Sequence, residues 1–334
     1  MAYSQEIISR ARRKLESQKA DWESRQRQHQ QQVYAAIPRV REIDMLLRRN
    51  MTAAAQAVFT QGGDARAAME QVRQENQTLQ QEREDLIVAQ FPPEYAREDP
   101  ICPHCGGSGY VGSRMCSCLL ELCRQEQKKE LALLTCGEGR FTDFILEYYS
   151  DAVDPKLGVS PRAVMRGNFA VCRRYGENFS LDKGNLLFVG GTGLGKTFLS
   201  ACIATSATEQ GFSVDYEPAG HLFQKLERNR FSPTPETAAA VARLEACDLL
   251  IVDDLGVERG SDFVKEQVFQ IIDSRYRTGL PMIVTTNLPL SRLKDPQDLA
   301  YARIYDRLLE RCTPILVNEG NIRKTLAGQQ KRQV

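Results

Sequence analysis

The sequence predicts an α/β fold: a parallel five-stranded sheet flanked by helices, preceded by an α-helical arm and a small cysteine-rich module. Three observations point to it. Short apolar runs alternate with helical stretches after Leu186, a glycine-rich turn joins the first run to the first of those helices, and the composition changes between residues 95 and 101. Such alternation is the pattern of parallel strands covered by helices on both faces. The boundaries so drawn are 1–95 for the arm, 96–125 for the cysteine module, 126–160 for a linker and 161–334 for the α/β domain.

The first 95 residues are rich in Gln, carry interleaved acids and bases, and hold no Gly outside the Gly62–Gly63 pair and no Cys. Ile8, Ala11 and Leu15 lie at helical spacing. Val72, Leu79 and Leu86 recur at seven-residue intervals, with Met69 and Asn76 on the second seam position. A buried Asn there fixes register between paired helices. Pro38 and Gly62–Gly63 are the natural breaks, so two or three helices are expected, arranged as a hairpin or coiled-coil-like arm. Three prolines in Phe91 to Pro100 end the helical region.

The next segment, CPHCGGSGYVGSRMCSC, sets Cys102 and Cys105 with two residues between them, followed by Cys116 and Cys118. A C-x2-C turn delivers two thiolates to one point, and the glycines between the pairs let the second pair swing round, so a closed structural zinc site is expected. Because C-x-C is the less usual second pair, His104 and Cys123 are alternative ligands. The remaining cysteines lie in or beside apolar segments, where a small buried side chain is the default.

After Leu186 the order is LLFV (strand), TFLSACIATSATEQG (helix), then the strands SVDYE, LLIVDD, MIVTTN and ILVN. Between the first strand and its helix stands GGTGLGKT: Gly190, Gly191, Thr192, Gly193, Leu194 and Gly195, then Lys196 and Thr197. This is G-x-x-x-x-G-K-[ST] between a strand and a helix, whose backbone N–H groups and helix N-terminus cradle phosphates. Lys196 supplies a point charge to the β- and γ-phosphates, and the Thr197 hydroxyl is a ligand for Mg2+. The run LLIVDD presents two acids at a strand end. Asp253 is placed to hold Mg2+ and Asp254 to orient or deprotonate an attacking water. Asn287, ending MIVTTN, falls beside the γ-phosphate. Arg303 and Arg307 share one face of the helix ARIYDRLLERC. They serve either as surface ion pairs with Asp306 or Glu310, or, for one of them, as an arginine finger in a neighbouring subunit's site. Arg323 reaches toward the nucleotide of its own subunit.

The 334 residues carry 44 Lys plus Arg against 43 Asp plus Glu, a formal charge of +1. That excludes a binder held by bulk positive charge and leaves nucleic-acid contact to a local patch, for which Arg228, Arg230 and Phe231 are candidates. No apolar run reaches the length of a membrane helix, and the basic amino terminus is followed by no apolar segment. A cytoplasmic protein with reduced thiols is expected.

Taken in order, FTDFILEYYSD (Phe141 to Asp151), GGTGLGKT, LLIVDDLGVE, QIIDSRYRTGLPMIVTTNLPL and RIYDRL resemble the AAA+ ATPases of the bacterial replicative-helicase loader group, the DnaC and DnaI type. The resemblance covers roughly residues 100–326, and the cysteine knuckle is similar to the zinc-bearing region of the DnaI type. It implies Lys196 and Thr197 as the phosphate-loop pair, and Asp253 and Asp254 as the magnesium and water-activating acids. It further implies Asn287 as first sensor, Arg303 as finger and Arg323 as second sensor. The implied ligands are ATP, Mg2+ and Zn2+. The implied partners are a hexameric replicative helicase, single-stranded DNA and further copies of the chain. The 17 residues after Val317 imply a reduced lid. The helper ATPases of insertion-sequence transposition, the IstB-like group, have nearly the same core; the knuckle and long arm favour the loader. A non-hydrolysing adaptor is disfavoured by the intact Lys196, Asp253, Asp254 and Asn287.

Overall fold

The computed structural model describes residues 3–60, 65–97, 99–134, 139–155, 158–256, 261–294 and 299–317. These divide into two compact units, Arg12–Leu119 and a second made of the first eleven residues with Leu120–Val334. Among the described residues, no helix is long and apolar enough to cross a membrane.

Helix α1 (Gln5–Ala36), whose residues up to Ala11 count with the second unit, is followed in the first by α2 (Pro38–Thr60) and α3 (Ala65–Val88). Pro38 opens α2, where its missing N–H costs nothing; Gly62–Gly63 falls outside the described residues. On α1 the inward positions are Ile7, Ala11 and Leu15, all buried, so Ile7 takes the place expected of Ile8. α2 and α3 run antiparallel: Arg39 bonds Glu82, Asp44 bonds Arg83, and the Asn50 amide donates to Asn76 Oδ1 at 3.0 Å. The seam residues Val72, Asn76, Leu79 and Leu86 are half-buried. The heptad pattern thus closes a hairpin within the chain, and Asn76 meets Asn50 in it; Met69 lies outside the side chains described. Val33, Ile37, Val40 and Ile87 form the small core at the hairpin's base. Strands β1 (Tyr110–Val111) and β2 (Arg114–Met115), joined through Gly112, bring the two cysteine pairs together, and α4 (Ser117–Leu134) begins at the second pair.

The second unit is the α/β domain. After α5 (Pro161–Glu177), capped by the Ser160 hydroxyl on Ala163 N, come β3 (Asn185–Val189), α6 (Lys196–Glu209) and β4 (Val214–Pro218). Next are α7 (Ala219–Phe231), α8 (Pro235–Ala246), β5 (Leu249–Asp253) and α9 (Asp262–Thr278). The chain continues through β6 (Met282–Thr286), α10 (Leu290–Lys294), α11 (Leu299–Arg311) and β7 (Cys312–Leu316). All five strands are parallel in the order β4-β5-β6-β3-β7. β7 begins three residues before the expected ILVN strand. As an edge strand it tolerates Pro314, which hid its first half from the pattern.

One face of the sheet packs Leu250, Val252 and Val284 under α7, α8, α9 and α11; the other packs Phe188, Ile251 and Ile283 under α5 and α6. The register aligns Val189 with Thr286 and Pro218 with Asp253. The strand ends therefore open on one edge, where ligands bind in open parallel sheets.

Candidate functional site

The phosphate-type loop leaves β3 at Gly190. Its N–H donates to the Thr286 carbonyl at the end of β6, at 3.3 Å. A Cβ at this position would collide with the carbonyl oxygen of Val317, so only glycine lets the loop start between its neighbours. At its far end Gly195 caps α6 with φ +93°, a left-handed conformation that a side chain would strain. The buried Lys196 ammonium donates to the carbonyls of Gly190 and Gly191, each at 2.8 Å, and so lies across the mouth of the loop.

Asp253, at the buried end of β5, accepts from the Thr197 hydroxyl at 3.3 Å and from the Thr285 hydroxyl at 2.6 Å. The loop threonine and the strand acid are thus adjacent oxygen donors, an arrangement suited to Mg2+, which takes oxygens at about 2.1 Å in an octahedron. Asp254 follows with φ +63°, the non-glycine residue with positive φ among those described. Its N–H donates to Thr285 Oγ1 at 2.8 Å, and its side chain is exposed. Strain of this kind collects at functional sites. Beneath the site, burial and the Asp253 charge push the Tyr216 phenol up, and its hydroxyl pairs with Ser200 at 3.2 Å.

Asn287 directly follows Thr286, whose carbonyl holds Gly190, and so stands beside the loop's first residue. Arg303 faces outward on α11, more than half exposed. It pairs with neither Asp306 nor Glu310 but with Glu266 of α9, at 2.6 Å, over the ring of Phe269. Arg307 pairs with Asp273 and Glu310. Arg323 lies outside the described residues. The Arg230 guanidinium lies over the rings of Phe231, which is 71% exposed, and of Phe263, at 5.2 and 4.1 Å from their centroids.

In the cysteine module the Sγ atoms of Cys102, Cys105, Cys116 and Cys118 all lie within 4.8 Å of one another. The Cys102–Cys116 and Cys105–Cys118 separations are 3.8 and 3.5 Å. A tetrahedron with Zn–S arms of about 2.3 Å has edges of about 3.8 Å, so the set fits a metal ion. His104 is exposed and the buried Cys123 lies outside the cluster, so the two C-terminal thiols complete it. Burial works to raise the Cys105 thiol. The N–H groups of Gly109 and Gly107 and the neighbouring thiols outweigh it and lower the group to about 6.

Three contacts to the site escaped sequence reasoning. Thr285 bridges the two acids, Tyr149 donates to the loop carbonyl of Leu194 at 2.8 Å, and Tyr305 of α11 donates to the Gly256 carbonyl at 3.1 Å. Only the TTN ending of β6 hinted at the first.

The model of the IstB-like ATP binding protein family matches residues 172–331. An insertion-sequence ATP-binding protein of Sinorhizobium fredii is 30% identical over 159 residues, 47% of this chain and 52% of that protein. The replicative helicase loader DnaC of Escherichia coli is 25% identical over 159 residues, 47% of this chain and 64% of the loader. The match therefore spans about half to under two thirds of these relatives. A crystal structure of the DnaC helicase loader superposes with a TM-score of 0.41 at 23% identity, covering 53% of this chain and 97% of that one. Residues 172–331 thus match an IstB-like ATP-binding domain, and over about half its length the chain is similar to insertion-sequence ATP-binding proteins and to DnaC helicase loaders alike.

Proposed function

We propose that this chain is a cytoplasmic, ATP-dependent loader that places a hexameric replicative DNA helicase on single-stranded DNA, hydrolysing ATP at a site completed between subunits. The observation that carries the reading is the presence, in one chain, of a phosphate-type loop set against a strand-end acid and of a helical hairpin with a four-cysteine cluster suited to holding a partner. In this assignment residues 1–95 are the partner-binding arm, 96–125 the zinc module, 126–160 the linker and 161–334 the ATPase domain.

The loop N–H groups of Gly190 to Gly195 and Lys196 hold the phosphates, while Thr197 and Asp253 hold Mg2+, which neutralises charge on the transferred phosphoryl group. Asp254 orients the attacking water, with Asn287 as its second hydrogen-bond partner. Arg303 serves the site of the neighbouring subunit, and Arg323 has its own subunit's nucleotide as target. Little covalent work falls to such a site; positioning and charge do most of it. Cys102, Cys105, Cys116 and Cys118 hold a structural Zn2+. The exposed Phe231 and Arg230, with Phe263 behind, offer a stacking and phosphate surface for single-stranded DNA.

A helper ATPase of insertion-sequence transposition is the second reading, favoured by the family match and the 30% identical relative. Affinity-tagged full-length chain, incubated with a purified replicative helicase or with an insertion-sequence transposase, with ATP and without, separates the two. ATP-dependent retention of the helicase, together with ATP turnover raised by helicase or single-stranded DNA, is the expected result. Retention of the transposase alone would reverse the choice, and zero turnover in every combination would point to an adaptor.

A further inference from the structure

We infer that Tyr149, 45 residues upstream of the loop it touches, is a positioning residue that fixes the direction of a phosphate-facing N–H. The inference rests on the reading of Gly190 to Thr197 as the nucleotide site. Tyr149 lies in the FTDFILEYYSD segment, to which no role has so far been given. Its side chain is almost fully buried, and its hydroxyl donates to the Leu194 carbonyl at 2.8 Å. Burial pushes the phenol up, so the group is a protonated donor at neutral pH.

The consequence follows from peptide geometry. The chain has no cis peptide bonds among the described residues. In a trans peptide the carbonyl of one residue and the N–H of the next point in opposite directions. Holding the Leu194 carbonyl toward the linker therefore turns the Gly195 N–H the other way, into the cradle. This peptide needs restraint, because Gly195 at φ +93° has no Cβ to oppose rotation. The tyrosine is itself anchored. Its carbonyl accepts from Arg162 Nε at 3.0 Å, the next carbonyl, that of Ser150, accepts from Arg162 N at 3.0 Å, and its ring lies against Phe144. Phe144 in turn stacks on Phe169 and meets Phe198, the residue after Thr197. The linker thus holds the loop from behind, where no phosphate contact is needed.

Tyr149→Phe in the full-length chain removes the hydroxyl and keeps the ring. An N–H used equally in ground and transition states acts on binding, so KM and Kd for ATP should rise about five- to tenfold with kcat within twofold. Pyrophosphate, which occupies the loop without a base, should weaken by the same factor. Phe144→Leu, which loosens one side of the anchor but keeps the hydroxyl and its Arg162 tether, should lower the unfolding midpoint and weaken ATP clearly less than Tyr149→Phe does. Wild-type Kd in Tyr149→Phe would overturn the inference. So would weakened ATP with unchanged pyrophosphate, or an equal loss of affinity in Phe144→Leu. Lys196→Ala is run alongside: if it too binds ATP like wild type, the nucleotide-site reading itself fails, whereas its loss beside an unaffected Tyr149→Phe refutes only the role of Tyr149.

Discussion

Thr285→Val tests how the two acids are set apart. The side chain is fully buried, and its hydroxyl donates to Asp253 Oδ1 at 2.6 Å while accepting the Asp254 N–H at 2.8 Å. Valine keeps the shape and β-branching and deletes both bonds. A bond to a carboxylate is worth about 1.5–3 kcal/mol, and an orphaned backbone N–H costs about 1–3 kcal/mol. Asp254 is exposed, however, and its φ of +63° carries about 1–2 kcal/mol of strain that relaxes once the bond is gone. Relaxation recovers part of the loss, so the net destabilisation should be about 2 kcal/mol, read from urea unfolding of nucleotide-free protein. Relaxation also moves the Asp254 carboxylate away from its water. Turnover of assembled protein should therefore fall about 10- to 100-fold, while Kd for ATP, set by the loop and Lys196, shifts less than about threefold. Thr285→Ser, which restores the hydroxyl, should recover most of the turnover. Turnover within twofold of wild type in a valine variant destabilised as stated would refute the idea that the left-handed turn at Asp254 serves hydrolysis.

Arg303→Ala should leave ATP binding intact and lower assembly-stimulated hydrolysis by about 10³-fold. The exposed Glu266 pair that a finger must leave is worth only about 0–1 kcal/mol. A loss of turnover already present in dilute monomer would argue against action in the neighbouring site. Elemental analysis should find one zinc per chain, absent after Cys102→Ser with Cys105→Ser and accompanied by loss of cooperative unfolding in the module; a fully folded, metal-free wild type would contradict the site. Burial, then the neighbouring Asp215, pushes the Glu217 carboxyl up to about 7, against the pull of Lys225. The folded state therefore holds a proton that the unfolded chain has released above about 4.5, and this contribution to stability is present at low pH and lost as pH rises toward 7. Glu217→Gln should gain on wild type in the free energy of urea unfolding by on the order of 2 kcal/mol between pH 5 and pH 8, and parallel curves would dismiss the assignment.

What could be read from the chain and what could not divide along a physical line. The strands of the sheet and the GGTGLGKT and LLIVDD elements are contiguous, and each carries its own apolar run or turn residues. Burial of a run such as LLIVD is dictated by its own composition. The cysteine set was legible for the same reason, down to the choice between Cys116–Cys118 and His104 or Cys123, which waited on the β1–β2 turn. The heptad seam announced Asn76 but not its partner Asn50, because periodicity marks a face and says nothing of what covers it.

The contacts that escaped notice all depend on register or on long closure. Pairing of Val252 with Val284 places Thr285 beside Asp253, so a one-residue slip between β5 and β6 would turn the hydroxyl to the opposite face and leave both acids without it. Nothing local in either strand encodes that alignment; it is settled by the cores on the two faces. Tyr305 and Arg303 make the same point within one helix. Two residues apart on α11, they face different ways, one donating to the Gly256 carbonyl just past the acids and the other standing outward on Glu266 and Phe269. A helix rigid enough to carry both ties the position of an outward arginine to the loop that follows its own subunit's acids. If Arg303 works in the neighbouring site, the two sites are mechanically joined through α11, and Tyr305→Phe should weaken cooperativity in ATP turnover more than it weakens ATP binding.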